Sequence, residues 1–173
     1  MSLQRYPMAP LIRFTLISLY LALVLPLPLL APPELVVWLW AALPLGLALI
    51  LALVSEQVEL SDTGIRVGHP AWCSWLLRRG WQLNWEQITG LTPVTTSQGG
   101  RVFYVRTADG SAYLLPQRVQ AFEDFLSRFS QASGLSTSSI GRISPPWTYQ
   151  LLAVLCALGL AAEALVGLMT LQR

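Results

Sequence analysis

The chain has 173 residues, of which only 12% are charged, and a formal net charge of +2. Soluble domains carry about a quarter charged residues, so a wholly soluble protein is excluded, and the length leaves space for one ordinary domain beside its anchors. The charge balance also excludes a polybasic nucleic-acid footprint.

The charge deficit is concentrated in two regions. Residues 1–13 form a short N-terminal segment with Arg5 and Arg13. Residues 14–54 follow as two apolar runs, Phe14 to Leu30 and Leu35 to Val54, parted by Ala31-Pro32-Pro33-Glu34. Crossing a bilayer takes about 20 apolar residues, so the pair is expected as a transmembrane helical hairpin. Trp38 and Trp40 fall just after the turn, where an aromatic belt belongs. Pro26, Pro28 and Pro44 are expected to kink the pair. Arg5 and Arg13 precede the hairpin and Glu34 is its only loop charge, so the positive-inside rule puts the N-terminus in the cytoplasm.

Residues 55–134 read as a soluble domain on that same side. Glu56 to Leu60 alternates, Asp62-Thr63-Gly64 is a turn, and Ile65 to Val67 returns. Trp81 to Trp85 alternates again, and Ile88 and Leu91 carry the pattern on. Arg101 to Arg106 is rich in β-branched and aromatic residues, and Ala108-Asp109-Gly110 turns it into Ser111 to Leu115. Then Phe122, Phe125, Leu126 and Phe129 recur at helical spacing, predicting an amphipathic helix over about 119–132 that Gly134 stops. Residues 135–146 read as a Ser/Gly-rich linker ending in Pro145-Pro146. Residues 147–170 read as a third transmembrane helix, and 171–173 as a tail. The C-terminus is then expected on the opposite side of the membrane.

The fold class expected is an α+β membrane protein: a helical hairpin, a small antiparallel barrel or curled sheet capped by one helix, and a last membrane helix. The turn Ser61-Asp62-Thr63-Gly64-Ile65, the segment Leu83-Asn84-Trp85-Glu86-Gln87-Ile88-Thr89-Gly90-Leu91 and the hairpin Val105 to Pro116 resemble the bacterial pleckstrin-homology-like (PH-like) domains of membrane-anchored proteins. The order of hairpin then domain is similar to cyanobacterial and chloroplast factors that assist photosystem assembly. The third helix departs from that second pattern.

Two features are candidates for function. Glu163 lies inside the third helix, where a carboxylate costs at least about 2.5 kcal/mol, and Gly159 and Gly167 flank it by one turn on the same face. Small residues let helices approach closely. This face either docks a membrane partner, or its carboxyl bonds within the chain's own bundle, to Tyr20 or Ser18, or snorkels to the far headgroups. The second feature is residues 69–81, with Trp72, Trp75, Leu76, Leu77, Arg78 and Arg79. Trp72 and Trp75 are the candidates for partner contact, and Arg78 and Arg79 for lipid phosphate; the alternative is that the tryptophans fill the domain core.

Catalysis is not expected. His69 is the single histidine, Cys73 and Cys156 have no metal spacing, and no phosphate-binding loop, dinucleotide fingerprint or nucleophile set occurs. No cofactor, metal, nucleic acid or small-molecule substrate is expected. The expected role is an interaction protein, accessory to or assisting assembly of a larger integral membrane complex; the alternative is an anionic-lipid-binding module at the lipid bilayer.

Overall fold

The computed structural model describes residues 3–77, 80–97, 99–142 and 145–171. The chain forms two units, an α+β unit of Met1–Ala9 with Ser55–Pro145, and a helical unit of Pro10–Val54 with Pro146–Arg173.

The α+β unit contains two antiparallel sheets. The first has four strands in the order β1 (Gln4–Pro7), β2 (Gln57–Leu60), β3 (Gly64–Gly68) and β4 (Trp81–Asn84). The second has three, β5 (Ile88–Thr95), β6 (Arg101–Thr107) and β7 (Ala112–Leu114). The barrel expected from the sequence is not closed: the two sheets are separate ladders, joined in chain order by the single helical turn Trp85–Gln87. An antiparallel α+β fold is what the strand pattern required; closure needs edge-to-edge pairing, and none links the two ladders among the described residues.

Alternation sets the core. In the first sheet, Tyr6, Val58 and Val67 pair in one row and Leu60, Ile65 and Leu83 in another, and all six are buried. Phe103 and Val105 supply the second sheet's inner face. The helix α4 (Phe122–Ser133) lays Phe122, Phe125, Leu126 and Phe129 on both. Its stop is as the sequence predicts: Gly134 adopts φ of 72°, a left-handed geometry easy for glycine, and donates to Ser130 O at 2.9 Å.

The N-terminal segment, for which the sequence pattern predicts no element, supplies the edge strand β1. Arg5 pairs with Glu59 and Tyr6 with Val58, over fifty positions away in sequence. Tyr6 fixes this strand to α4. Its ring lies 5.5 Å from Phe125 edge-on, and its hydroxyl donates to Asp124 Oδ2 at 2.6 Å. Burial and that bond push the Tyr6 phenol up to about 12. The Tyr6 hydroxyl, and after it the Arg128 guanidinium, hold the Asp124 carboxyl below its usual value of 3.8. A carboxyl depressed by folding stabilises the native state above its unfolded pKa and loses that contribution as pH falls through the folded one. Tyr6→Phe should therefore cost stability at neutral pH and flatten the acid limb of the stability profile: the gap between wild type and variant, measured by denaturation of the full chain, is expected to be widest near pH 7 and to shrink below about pH 4.

The segment after α4, expected as a linker, is docked on this unit. Ile140 is buried, the Gln117 amide donates to Gly141 O at 2.6 Å and Arg101 O at 3.2 Å, and Arg142 stands 5.9 Å over the Phe122 ring.

The helical unit comprises α1 (Pro10–Val24), the short α2 (Leu27–Leu30), α3 (Pro33–Leu53) and α5 (Pro146–Leu171). Three helical stretches, Pro10–Leu30, Pro33–Leu53 and Trp147–Met169, are long and apolar enough to cross a membrane. The first is broken at Leu25-Pro26, because Pro26 and Pro28 lack the N–H groups that Ala22 O and Val24 O need. Tyr20 donates to Leu43 O at 2.7 Å, and a side chain on Gly46 would overlap the Tyr20 ring, so a glycine there is what lets α1 and α3 meet.

Candidate functional site

His69 closes β3, and Pro70 turns the chain out of the first sheet. From there residues 70–77 wind into two tight turns. Cys73 and Ser74 donate their backbone N–H groups to Pro70 O, and Leu76 and Leu77 to Cys73 O. Helical spacing then divides the side chains. Cys73 points inward, 1% exposed, with its sulfur 3.2 Å from Ser55 Oγ. Trp72, Trp75 and Leu76 point outward, at 57%, 79% and 52% exposure.

Of the two sequence readings for the tryptophans, the structure separates them residue by residue. Trp81 and Trp85 pack on the core, beside Tyr113 and Phe129 respectively. Trp72 and Trp75 lie at the surface with Leu76 as one apolar patch. Trp75 donates its ring N–H to Trp72 O at 3.0 Å, so its one polar group is already paired. Arg78 and Arg79 lie outside the described residues.

On the other side of the same loop lies a polar groove. Arg5, Glu59, Arg66 and Gln82 are successive register partners across β1 to β4 and form one row on the sheet's outer face. Arg5 Nε is 3.0 Å from Glu59 Oε1, and Arg66 Nη1 is 3.8 Å from Glu59 Oε2. Both guanidiniums are exposed, so the pairs contribute little to stability but align the two arginines. Sequence reasoning did not single out these residues. The signal was the alternation of Glu59 and Arg66 with buried neighbours; the missing part was Arg5, which joins the row only through β1.

In the helical unit, Gly159 faces α1: a side-chain carbon built on it would lie 3.9 Å from Ala22 Cβ. A side-chain carbon built on Gly167 would meet no other described atom within 4 Å. Glu163 is half-buried, and its Oε2 is buried without a hydrogen-bond partner. Tyr20, one of the two internal partners expected for it, spends its hydroxyl proton on Leu43 O.

The chain is 42% identical over 153 residues to the uncharacterized protein slr0269 of the cyanobacterium Synechocystis sp., a match spanning 85% of this chain and 77% of that protein. The chain belongs to the family of that cyanobacterial protein. No protein-family model matches it. No solved structure matches it either.

Proposed function

We propose that this chain is a non-enzymatic, membrane-anchored interaction protein, an accessory or assembly factor for a larger integral membrane protein complex. The observation that carries the proposal is the outward patch of Trp72, Trp75 and Leu76. It is held on turns anchored by a buried Cys73, in a unit whose core is complete without it. Exposed tryptophans grouped with leucine mark interaction surfaces, and tryptophan is the residue most enriched where binding energy concentrates. A tryptophan seated among lipid headgroups usually turns its N–H to the wet side. In Trp75 that group is satisfied internally, so the ring can be covered by a dry protein surface without stranding a donor.

The α+β unit is joined in chain order to the apolar helices at Ala9–Pro10, Val54–Ser55 and Pro145–Pro146. Such tethering favours partners in or on the membrane. The strand pairing of β1 with β2 also supports the topology expected from charge. Residues before α1 and after α3 belong to one sheet, which favours two intervening spans that bring the chain back to the side from which it left. With Arg5 and Arg13 as the flanking charges, that side is the cytoplasmic one. A PH-like identity for the α+β unit accords with four strands, three strands and a closing helix. The cyanobacterial relative supports a photosynthetic membrane as the setting, with a photosystem among the candidate complexes.

The test is co-purification from the native membrane. A tagged chain is expected to bring down a membrane complex in fixed ratio, and Trp72→Ala with Trp75→Ala is expected to reduce the recovered partner at least tenfold while the variant itself accumulates normally. Recovery of an unaltered amount of partner with the double variant, or no stoichiometric partner with the wild type, would overturn the proposal.

A further inference from the structure

The row Arg5, Glu59, Arg66 and Gln82 crosses the outer face of the first sheet, and beside it the sheet loses its side chains. Gly68 is the register partner of Gln57, and a carbon on Gly80 would overlap Val67 O, so here backbone lies against backbone. The loop beginning at His69 stands over this bare strip. The result is a cavity of about 390 Å³ whose polar walls are Arg5, Gln57, Glu59, Arg66, His69 and Ser74. A second compartment of about 570 Å³ shares Arg66, His69 and Ser74 with it and runs on to Trp81 and Gln82.

The polar groups in this groove are unevenly used. The Glu59 carboxylate is occupied: Arg5 and Arg66 flank it, and the Gln57 amide donates to its Oε1 at 3.1 Å. Each guanidinium carries five N–H donors, and Glu59 takes only a fraction of them. His69 and Ser74 line both compartments beside the arginines. Two guanidiniums against one carboxylate leave the walls with one positive charge in excess, and the unused groups are mostly donors. Their complement is a compact anion with several acceptor oxygens, and guanidinium pairs bind phosphate oxygens in a fork geometry that an ammonium cannot reproduce.

We propose that this groove binds a phosphate group, with Arg5 and Arg66 as its clamp and Glu59 as the residue that holds the two arginines in line. The phosphate is either a free anion or the phosphodiester of a lipid headgroup, and the experiment separates the two. The full-length chain in neutral detergent is titrated at constant ionic strength with inorganic phosphate and, separately, with short-chain phosphatidylglycerol below its micellar concentration; binding is read from the thermal unfolding shift and from phosphorus NMR line broadening. Saturable binding of inorganic phosphate assigns the groove to a free anion. Saturation by the phosphodiester alone assigns it to a headgroup. Arg66→Gln is expected to weaken whichever binding is seen at least tenfold. Arg5→Gln, at the sheet edge, is expected to do the same and serves if Arg66→Gln fails to fold. Arg106→Gln, an equal change of charge on β6 of the other sheet, is expected to leave affinity within twofold. No saturation by either probe, or an equal loss in Arg106→Gln, would overturn the proposal. Because the readout needs no partner, its failure leaves the partner proposal standing, and the reverse also holds.

Discussion

Phe125→Ala is expected to cost the α+β unit about 4 kcal/mol, a large share of the unit's stability. Its ring is fully buried and stands 5.5 Å from Tyr6, 6.4 Å from Phe122 and 6.2 Å from Phe129. Removing a buried phenylalanine side chain costs about 3–5 kcal/mol, since the lost transfer energy is joined by the cavity left behind. Domains have only about 5–15 kcal/mol in total. Phe125 is also where the N-terminal strand meets α4, through Tyr6. A loss at this position should therefore release β1 as well as loosen the helix. Denaturant unfolding of the full-length chain in detergent, followed by near-ultraviolet circular dichroism, checks the first part. Hydrogen exchange at the amides of Arg5 and Tyr6 checks the second, with faster exchange expected in the variant. Phe125→Leu retains most of the volume and should recover most of the loss. A cost below about 1 kcal/mol for the alanine variant would show that α4 does not close the core as described.

Much of this was legible in the sequence because the signals were local. Phe122, Phe125, Leu126 and Phe129 announce a helix face by spacing alone, and the inward positions of β2, β3 and β6 alternate with polar ones. The apolar runs announce themselves by length. What stayed hidden depends on partners far along the chain. Gln4–Pro7 is four residues long and carries no strand signature; it becomes a strand because Tyr6 finds Val58 and Asp124. The groove was hidden for the same reason, since Arg5 completes its row from across the membrane hairpin. The alternation of Trp81 and Trp85 already reads as strand core and leaves Trp72 and Trp75 as the surface candidates, and the backbone gives the reason: the latter pair sits on tight turns that aim it outward, while Trp81 lies on a strand facing the core and Trp85 on the turn after it. Barrel closure is a property of strand edges, and edge geometry has no signature in hydrophobic alternation.

Glu163 gives the second large effect, and the expected result separates two roles. We infer that its carboxyl serves the pairing of α5 with α1. The two helices run side by side in one direction: Thr15 Oγ1 is 3.3 Å from Tyr149 O, and further along Gly159 meets Ala22. One helical turn beyond Gly159 is Glu163, about 6 Å further along the axis. On α1 the matching advance from Ala22 reaches the break at Leu25-Pro26, where prolines have deprived backbone carbonyls of their usual donors. Inside a membrane such groups must be satisfied by neighbouring elements, and Glu163, whose Oε2 is buried without a hydrogen-bond partner among the described residues, follows Gly159 by one turn on the same helical face. Glu163→Gln retains shape and supplies an amide donor, so it is expected to accumulate in the membrane at wild-type level. Glu163→Ala is expected to fall several-fold in level and to lose protection of α5 from protease. Insertion energetics alone push the other way, favouring alanine over a carboxylate by roughly 2.5 kcal/mol or more, so a fall in level has to come from lost pairing. If instead both variants accumulate equally and only the alanine one loses its co-purifying complex, the carboxyl belongs to a docking face, and Gly167, on the same helical face, becomes the next position to fill.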